Sequence, residues 1–515
     1  MTQALPGRPF LVRAYEPTHG GVDFLGLRQA NLDMMATCIP GINNVTRYVR
    51  VFSVLCWMHW RYQQLAVEAQ ATTVSASAFR EFRDRVETLF TWGHVLSGHA
   101  GIPGTTAKPP PVEGGTVPLT FKAWNRSYAN TGLMSAVQYG PAAKTLGGLG
   151  FLDPVEAELL RVCGEGVVLA EALDLAIAQT GARDRLGRAP RSGTEQDALS
   201  LFEGWSIGDP SPAEREAFRR AYFDRATAGG ESSVGRRSAT LSLAFGVLNQ
   251  ANEPVELREI RPAMAYGRRS DHGSVALAAD LRTARWRWVV LQVRQLQRLA
   301  HECLLGWVER RIAQGDRDSD ALVDAALRRL DPRSVPDMVK AWTPSVDTFD
   351  EFCELAPANS DFCIFAVAEA LEEQVRDPNG AMIETALRAL FLCAKVAGLL
   401  RVEPVAEKMM AVGQAERVSL SSWRGMVERS MAALARDFIR TLIESMVLSQ
   451  HFAVAANRYD GGTQRLRVAI EEDGLAVLAP DVWRPTRTPD RLSSALALAL
   501  DCGLIGADGD GFVAV

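Results

Sequence analysis

The distribution of apolar and polar positions singles out residues 51–60 as the stretch around which the chain is organised. Apolar residues fall on every side of a helix drawn through it, and Ser53, Cys56 and His59 are the interruptions. A helix that is apolar all round has neighbours all round. The pattern therefore predicts a central helix over residues 44–65, buried inside a large helical domain.

The start of this predicted helix carries capping residues and a pair of arginines. Asn43 and Asn44 are suited to cap the first amides of a helix. Arg47 and Arg50 follow three positions apart, a spacing that places two side chains on one helix face. We therefore expect Arg47 and Arg50 to contact a partner or an anion from a shared face.

Apolar residues at helical spacing predict further helices along the chain. They cover residues 25–39, 77–94, 153–163, 211–226, 275–312, 321–330, 384–400 and 422–452. The 211–226 helix opens on Ser211, Pro212 and Glu214, a capping box with proline at the first helical position. Stretches rich in proline or glycine predict an irregular arm, an exposed loop and a linker at residues 1–21, 98–118 and 181–194.

Residues 488–515 carry the sequence signals of a helix followed by a β-hairpin. Thr488 and Pro489 predict the start of the helix, and Gly503 predicts its end. The sequence Asp-Gly-Asp-Gly at 508–511 is a hairpin turn signal. A helix followed by a small hairpin is how a winged helix ends, so we predict a C-terminal winged-helix-like unit.

These patterns together predict a mainly α, multi-domain helical protein. The chain has 515 residues, which at roughly 100–200 residues per domain suggests about two to four domains. We expect an N-terminal helical domain around the central helix, a central helical domain with the long 275–312 helix, and a C-terminal helical and winged-helix-like domain. Their predicted ranges are residues 1–180, 195–400 and 401–515.

Composition and charge narrow the expected partners and the compartment. The net charge of −5 provides no global attraction to nucleic acid, so such contact must come from a local patch. The eight cysteines include no CxxC pair, a usage typical of reduced thiols in a cytoplasmic protein. No run of about 18 apolar residues occurs, so we expect no membrane contact.

Arginines interleaved with tryptophans are the strongest candidates for binding. Residues 268–311 hold nine arginines and four acids, and arginine beside an aromatic ring suits phosphate contact with base stacking. The candidate nucleic-acid contacts are Arg282, Arg285, Arg294 and Arg298 on the long helix, and Arg465, Arg467, Arg487 and Arg491 near the C-terminal unit. The alternatives are a solvated helix face whose arginine stems cover tryptophans, and a winged helix that docks protein.

The motifs that resemble catalytic signatures lack the required context. Residues 204–208 match G-x-S-x-G, but Pro210 follows at once and would interrupt the helix that a nucleophile elbow needs. His94 and His99 are five apart, which is not the same-face spacing of metal ligands on a helix. We therefore predict no catalytic residue, no metal ligand and no cofactor.

Both ends of the chain resemble large uncharacterised bacterial proteins, some of which are encoded in anti-phage defence clusters. The resemblance rests on VDFLGLRQANLDMM and PGINNVTRYVRVFSVLCWMHWRY near the start and on TPDRLSSALALALDCGLIGADGDGF near the end. It does not cover the middle of the chain and brings no catalytic motif. The resemblance implies a role beside other proteins in immunity against foreign DNA.

The leading functional hypothesis is a non-enzymatic component of a bacterial anti-phage defence complex. In this hypothesis helical surfaces and the winged-helix-like unit bind DNA, partner subunits of the defence system, or both. The alternative is a metal-dependent nuclease or other hydrolase whose site is assembled from residues distant in sequence, which adjacency along the chain does not reveal. A third hypothesis is a purely structural adaptor.

Overall fold

A computed structural model describes most of the chain. The described residues are 23–70, 75–110, 115–154, 160–181, 183, 186, 191–228, 230–269, 273–330, 334–376, 381–413, 418–459, 465–479, 481 and 483–515. The irregular arm predicted at 1–21 lies outside them, as do parts of the loop predicted at 98–118 and of the linker predicted at 181–194.

Helices make up 61% of the protein, about twice the roughly 30–35% of an average globular domain, so the predicted mainly α class is confirmed. The longer α-helices of the first half are Arg28–Cys38, Val49–Glu68, Ala76–Leu96, Glu165–Ala178, Glu195–Trp205, Pro212–Tyr222, Ser233–Leu248 and Leu257–Tyr266. Those that follow are Arg282–Ala313, Ser319–Leu330, Val335–Trp342, Phe349–Leu355, Ile364–Arg376, Met382–Leu400, Pro404–Met410, Leu420–Arg429, Ala435–Thr441, Gln450–Asn457 and Leu492–Asp501. None of the described helices combines the length and apolar character that crossing a bilayer requires.

The described strands pair only in short antiparallel ladders. The pairs are Val117–Pro118 with Ser192–Gly193, Leu152–Pro154 with Leu160–Val162, Val468–Glu471 with Gly474–Val477, and Gly506–Asp508 with Gly511–Val513. The last pair is the hairpin predicted from the Asp-Gly-Asp-Gly turn, with Asp508 opposite Gly511. Val255 pairs with Phe512 on the second strand of this hairpin. The amide of each residue donates to the carbonyl of the other, at 2.9 Å from Val255 and 3.0 Å from Phe512.

The chain divides into two compact units, each built from segments distant in sequence. Among the described residues, the first unit comprises 23–34 and Val289–Thr488, and the second comprises Met35–Trp288 and Pro489–Val515. The long helix Arg282–Ala313 contributes its first turns to the second unit and the rest to the first. The three domain ranges predicted from the sequence stay a prediction.

The second unit is organised around the predicted central helix, Val49–Glu68. Its residues 49–59 are all buried, as a helix apolar on every side requires. Phe52 packs with ring centroids 5.2, 5.7 and 5.3 Å from those of Tyr139, Phe151 and Phe218. These rings come from four separate stretches of the chain, so burial around the helix is what joins them.

The predicted start of the central helix is wrong. The helix begins at Val49 after Tyr48, which makes no side-chain cap. Asn43 instead closes a separate turn, in which its side-chain oxygen accepts from the amides of Val45 and Thr46 at 3.0 and 3.2 Å. Asparagine and aspartate side chains favour such local turns as well as helix caps, and here the turn wins.

The first unit is organised around the long helix, which is buried along most of its length. Every residue from 289 to 309 is buried, including the charged side chains of Arg294, Arg298 and Glu302. The apolar stripe predicted for this helix is part of its core. The polar positions are buried as well, which periodicity alone does not indicate.

Two predicted helices are corrected because backbone pairing between extended segments overrides the helical pattern. The pattern predicts a helix over residues 153–163, but Leu152–Pro154 and Leu160–Val162 form a hairpin with Leu160 and Val162 buried and Arg161 exposed between them, the alternation of a strand. The predicted 422–452 helix breaks after Arg429, where Leu434 bridges to Ser334. It resumes at Ala435 and passes through a π-helical stretch, Leu442–Ser449.

The C-terminal helix starts later than predicted and ends as predicted. It spans Leu492–Asp501 rather than starting at Pro489, because Arg491 takes a left-handed conformation with φ of 66°. Gly503, with φ of 74°, follows its last turn. The Ser211–Glu214 capping box is also confirmed, with Pro212 at the first position of Pro212–Tyr222.

Candidate functional site

A cavity of about 300 Å³ in the first unit brings four arginines together. Arg310 and Arg311 come from the last turn of the long helix, and Arg328 and Arg329 from the last turn of Ser319–Leu330. The remaining lining residues are Trp307, Gln314, Ala325, Met382 and Ile383. We call this cavity the four-arginine pocket.

The local reason for these arginines lies in the ends of their helices. The C-terminal end of a helix carries a partial negative charge, so basic side chains are favourable in its last turn. Each helix here ends with two adjacent arginines. Four guanidinium charges exceed the roughly half charge of each helix end, so the pocket keeps a surplus of positive charge.

Arg311 is held in place by neighbouring side chains. Its Nε donates to Asp316 Oδ2 at 2.6 Å, and its Nη1 donates to Gln314 Oε1 at 2.8 Å. Arg310 lies half-buried with Nη1 3.6 Å from the sulfur of Met382. Burial lowers the pKa of Arg310, but an arginine stays protonated at neutral pH. This side of the pocket is therefore partly ordered before any ligand binds.

Arg328 and Arg329 are exposed, and neither has a carboxylate partner among the described residues. Counting the four arginines against the one paired carboxylate, Asp316, gives the pocket a net charge of 4 − 1 = +3. The floor is apolar, since Met382 and Ile383 are each 1% exposed. The arrangement is a cationic rim above an apolar base.

This combination suits a ligand that carries phosphate. The planar guanidinium group presents a fork of donors that matches the oxygens of phosphate in a bidentate manner. Trp307 and Met382 contribute apolar atoms to the lining of the pocket, and such a lining suits a sugar or a base. The pocket can therefore hold a phosphorylated group by charge at the rim and by apolar packing at the base.

The predicted arginines of the first unit do not form a common surface. Arg294 is fully buried and donates from Nη1 to the carbonyl of Val418. Arg298 is buried against Glu302 and the carbonyl of Thr486. Arg467 is buried in an ion pair with Glu309. Each of these three guanidinium groups therefore binds carbonyl or carboxylate oxygens of the protein itself.

The other two predicted arginines of this unit lie nearer to solvent. Arg487 is half-buried and binds Glu372, with Nη2 2.8 Å from Oε2. Arg465 is half-buried as well. Neither lines the four-arginine pocket, so the structure does not group them with its cationic rim.

In the second unit, the tryptophans that interleave with the candidate arginines are buried and not exposed to solvent. Trp286 is 5% exposed and Trp288 is fully buried. The guanidinium carbons of Arg282 and Arg285 each lie 5.5 Å from the centre of the Trp286 ring. Cation–π contacts of this kind occupy the ring face, so bases are not offered a free tryptophan here.

The remaining contacts of these arginines are internal too. Arg285 donates to the carbonyls of Ala265 and Tyr266 at 2.9 and 3.1 Å. Arg491 donates from Nη1 to the carbonyl of Ile39 at 3.1 Å. Arg282 is exposed at the start of the long helix.

Arg47 and Arg50 do not share a face, because the helix begins after Arg47. Arg47 is exposed, whereas Arg50 is buried and pairs with the fully buried Glu214, with Nε 3.0 Å from Oε1. Arg50 also donates to the carbonyls of Gly204 and Asp209. Arg50 thereby holds the end of the Glu195–Trp205 helix and the turn that follows it against the central helix.

The G-x-S-x-G stretch lies where a helix ends, so it is not a nucleophile elbow. Glu195–Trp205 precedes it, in place of the strand that an elbow requires. His94, one of the two histidines weighed as metal ligands, accepts from the amide of Ile207 at 3.1 Å through Nε2. Within the described part of the chain, no three or more His, Cys, Asp or Glu side chains are placed to hold a metal ion.

All eight cysteines are free thiols. Burial raises the pKa of the thiols of Cys56, Cys303 and Cys393. These three thiols therefore stay protonated and pack as small apolar groups, in agreement with the reduced thiols that the sequence predicts.

Sequence reasoning missed the four-arginine pocket although its signal was present. The pairs Arg310-Arg311 and Arg328-Arg329 are each a double arginine at the end of a predicted helix. The first pair lies in the 268–311 stretch, which has an excess of positive charge. Neither pair is among the candidates, because the candidates on the long helix are the arginines that interleave with its tryptophans. That two helix ends converge is a tertiary fact that no local pattern encodes.

Neither protein-family models, nor curated proteins, nor solved structures match this chain.

Proposed function

We propose that this protein is a non-enzymatic component of a bacterial anti-phage defence complex, and that it binds DNA through phosphate contacts at the four-arginine pocket. The single observation that carries the DNA half is the convergence of Arg310, Arg311, Arg328 and Arg329 on one cavity. Positive side chains grouped in this way attract phosphate without any overall positive charge on the protein.

The charge balance of the pocket favours phosphate over a protein carboxylate. A lone carboxylate partner is already supplied by Asp316 for Arg311, which leaves three guanidinium groups for an incoming anion. Three cations in one cavity match a group with several negative oxygens better than one acidic side chain. DNA presents such groups at regular spacing.

The defence setting rests on the resemblance of the two ends of the chain to proteins of anti-phage clusters. In that setting, subunits of the same system are the expected protein partners. The exposed apolar side chains of Val402, Met431 and Leu434 in the first unit are candidate contacts for such a subunit, at 76%, 42% and 62% exposure.

We also propose a winged-helix-like unit whose two halves are separated in the sequence. Support comes from the order of elements in the second unit: Ser233–Leu248, the strand residue Val255, Leu257–Tyr266, then Leu492–Asp501 and the final hairpin. The Leu492–Asp501 helix is mostly buried and carries no basic residue. A DNA-reading helix needs donors on its exposed face, so this unit is proposed to support packing or protein docking.

A titration of labelled duplex and single-stranded DNA, followed by fluorescence anisotropy, tests the proposal. The wild-type protein is expected to bind, and R328E/R329E is expected to lose most of its affinity, since reversal turns two attractive charges into repulsive ones. The control is R225E/R258E, which reverses two exposed arginines of the second unit that pair with Asp280 and Glu256. Equal loss in both variants, or no binding by the wild type, overturns the assignment of the pocket.

Metal-dependent cleavage of plasmid DNA, lost on chelation, would favour the alternative of a nuclease assembled from distant residues. Plasmid DNA incubated with the protein, with magnesium, without it and with a chelator added, and then analysed on a gel, gives this answer directly. Intact plasmid in all samples is the result that the non-enzymatic proposal expects.

A further inference from the structure

We propose that the four-arginine pocket selects a terminal phosphate, meaning a phosphate monoester at a strand end or on a free nucleotide, over the internal diesters of a nucleic acid. The inference rests on the proposed phosphate-binding function and specifies its ligand. It follows from the shape of the pocket and from the position of its charges.

The first consideration is shape. The cavity of about 300 Å³ lies at the lower end of the range of roughly 300–1,000 Å³ that ligand pockets occupy. Arg310 and Arg311 are half-buried within it. An internal phosphate has chain leaving from both sides, so it reaches such groups only along an open channel. A strand end enters with one connection.

The second consideration is charge. A phosphate monoester carries about −1.5 to −2 charges near pH 7, whereas an internal diester carries one. The pocket offers a net +3, grouped around a single cavity. A duplex backbone would be better served by cations spread along a track.

The third consideration is that the helix providing half of the pocket offers no such track. Arg294 and Arg298, which precede Arg310 on the long helix, are buried and bonded internally. The positive charge that this helix can offer to a ligand in the first unit is therefore confined to its end. The apolar side chains of Trp307 and Met382 then face the nucleoside that carries the phosphate.

The test compares one short single-stranded oligonucleotide carrying a 5′-phosphate with the same oligonucleotide carrying a 5′-hydroxyl, both labelled at the 3′ end. Wild-type protein is expected to bind the phosphorylated form on the order of tenfold more tightly, because only that form accepts charge-assisted hydrogen bonds at its 5′ end. R328A/R329A is expected to bind both forms alike. The control R225A/R258A is expected to keep the preference.

Competition with adenosine 5′-monophosphate and with adenosine separates the sources of the monoester. Displacement by the monophosphate and not by adenosine supports the proposal. Binding of the monophosphate as tight as that of the phosphorylated strand assigns the pocket to free nucleotides, and weaker binding assigns it to strand ends.

Two outcomes overturn the inference in distinguishable ways. Equal affinity of the wild type for both oligonucleotides, with both weakened in R328A/R329A, rejects terminal selection and leaves phosphate binding at the pocket in place. No affinity for any of the probes rejects the proposed function itself. Circular dichroism of R328A/R329A checks that its fold is intact, as expected for two exposed side chains.

Discussion

Arg261 and Asp490 form a two-point ion pair across 229 positions of sequence, with Nε 2.8 Å from Oδ2 and Nη2 3.2 Å from Oδ1. Asp490 is 3% exposed and also accepts from the amide of Leu492. The pair joins the Leu257–Tyr266 helix to the start of the C-terminal helix within the second unit. Together with the bonds of Val255 to Phe512 and of Val49 to Asp501, this pair ties the C-terminal segment to that unit.

Replacing Asp490 with alanine is therefore expected to destabilise the second unit by about 2–4 kcal/mol. Removing one partner leaves the other charge uncompensated, which costs about 3–5 kcal/mol for a fully buried pair, and the partial exposure of Arg261 reduces that cost. Urea unfolding gives the free energy. The control Glu256→Ala breaks the exposed pair with Arg258 and is expected to cost less than about 1 kcal/mol. Equal effects of the two substitutions would contradict the role of the pair.

A second buried pair, Glu309 with Arg467, stabilises the first unit. Glu309 accepts from Arg467 Nε at 2.5 Å and from the amide of Trp483 at 3.0 Å. Because both side chains are buried, Glu309→Ala is expected to lower the free energy of unfolding by about 3–5 kcal/mol. Glu428→Ala, which removes an exposed carboxylate paired with Arg401 and Arg424 at 3.9 and 3.6 Å, serves as the control. A loss no larger than that of the control would show that Arg467 is satisfied without Glu309.

Asp501 is expected to make stability fall as the pH rises. Burial raises the pKa of its carboxyl group from 3.8 to about 6, although the amide of Val49 donates to it at 2.6 Å. Between pH 3.8 and about 6 the folded state binds more protons than the unfolded state at this group, so its contribution to stability declines through that window and stays low above it.

Asp501→Asn removes this titration and keeps an oxygen acceptor for Val49. The variant is expected to be more stable than the wild type above pH 6 by an amount on the order of 1–3 kcal/mol, with a flatter profile from pH 4 to 6. Thermal unfolding across this pH range measures the effect. Asp510→Asn, in the exposed turn of the last hairpin, should leave the profile unchanged. A parallel shift of the curve without flattening would argue against titration of Asp501.

His94 is expected to act in the opposite direction. Burial lowers the pKa of its imidazole from 6.5 to about 4, and its ring bonds to the carbonyl of Phe90 at 2.7 Å and the amide of Ile207 at 3.1 Å. The neutral ring is needed for Nε2 to accept. Stability from this group is present above pH 6.5 and is lost as the pH falls toward 4.

His94→Gln should therefore be less stable than the wild type at pH 7, with a smaller further loss between pH 6.5 and 4. The exposed His99 provides the matched control, since His99→Gln makes the same change five positions away. Unfolding midpoints at several pH values check both variants. An unchanged acid response in His94→Gln would show that other groups dominate this window.

The fold class and several elements could be predicted from the sequence, because local rules decide them. The central helix follows from apolar residues on all sides, and the Ser211 capping box and the Asp508–Gly511 turn follow from side-chain chemistry at fixed spacing. The hairpin around Leu160 and the break near Leu434 could not. Leu152–Pro154 pairs with Leu160–Val162 where the apolar spacing favours a helix, and Leu434 bridges to Ser334, which is distant in sequence.

The candidate site was harder to predict for a related reason. The sequence shows which residues are arginines but not which are buried: Arg294 and Arg298 carry the same charge as Arg328 and Arg329, yet the first two are buried in the core of the first unit. Whether a guanidinium faces a carbonyl or solvent depends on neighbours contributed by other helices. The convergence of two helix ends on one cavity likewise depends on how the helices pack, which spacing along the sequence does not show.

The most direct test of the central claim is the salt dependence of DNA binding. Each phosphate contact contributes about 0.7–0.9 to the slope of log affinity against log salt. Substituting R328A/R329A, which removes up to two such contacts, is expected to reduce the steepness of that slope by up to roughly 1.4–1.8, whereas R225A/R258A should leave it as in the wild type. Identical slopes for the wild type and R328A/R329A would contradict phosphate binding by the four-arginine pocket.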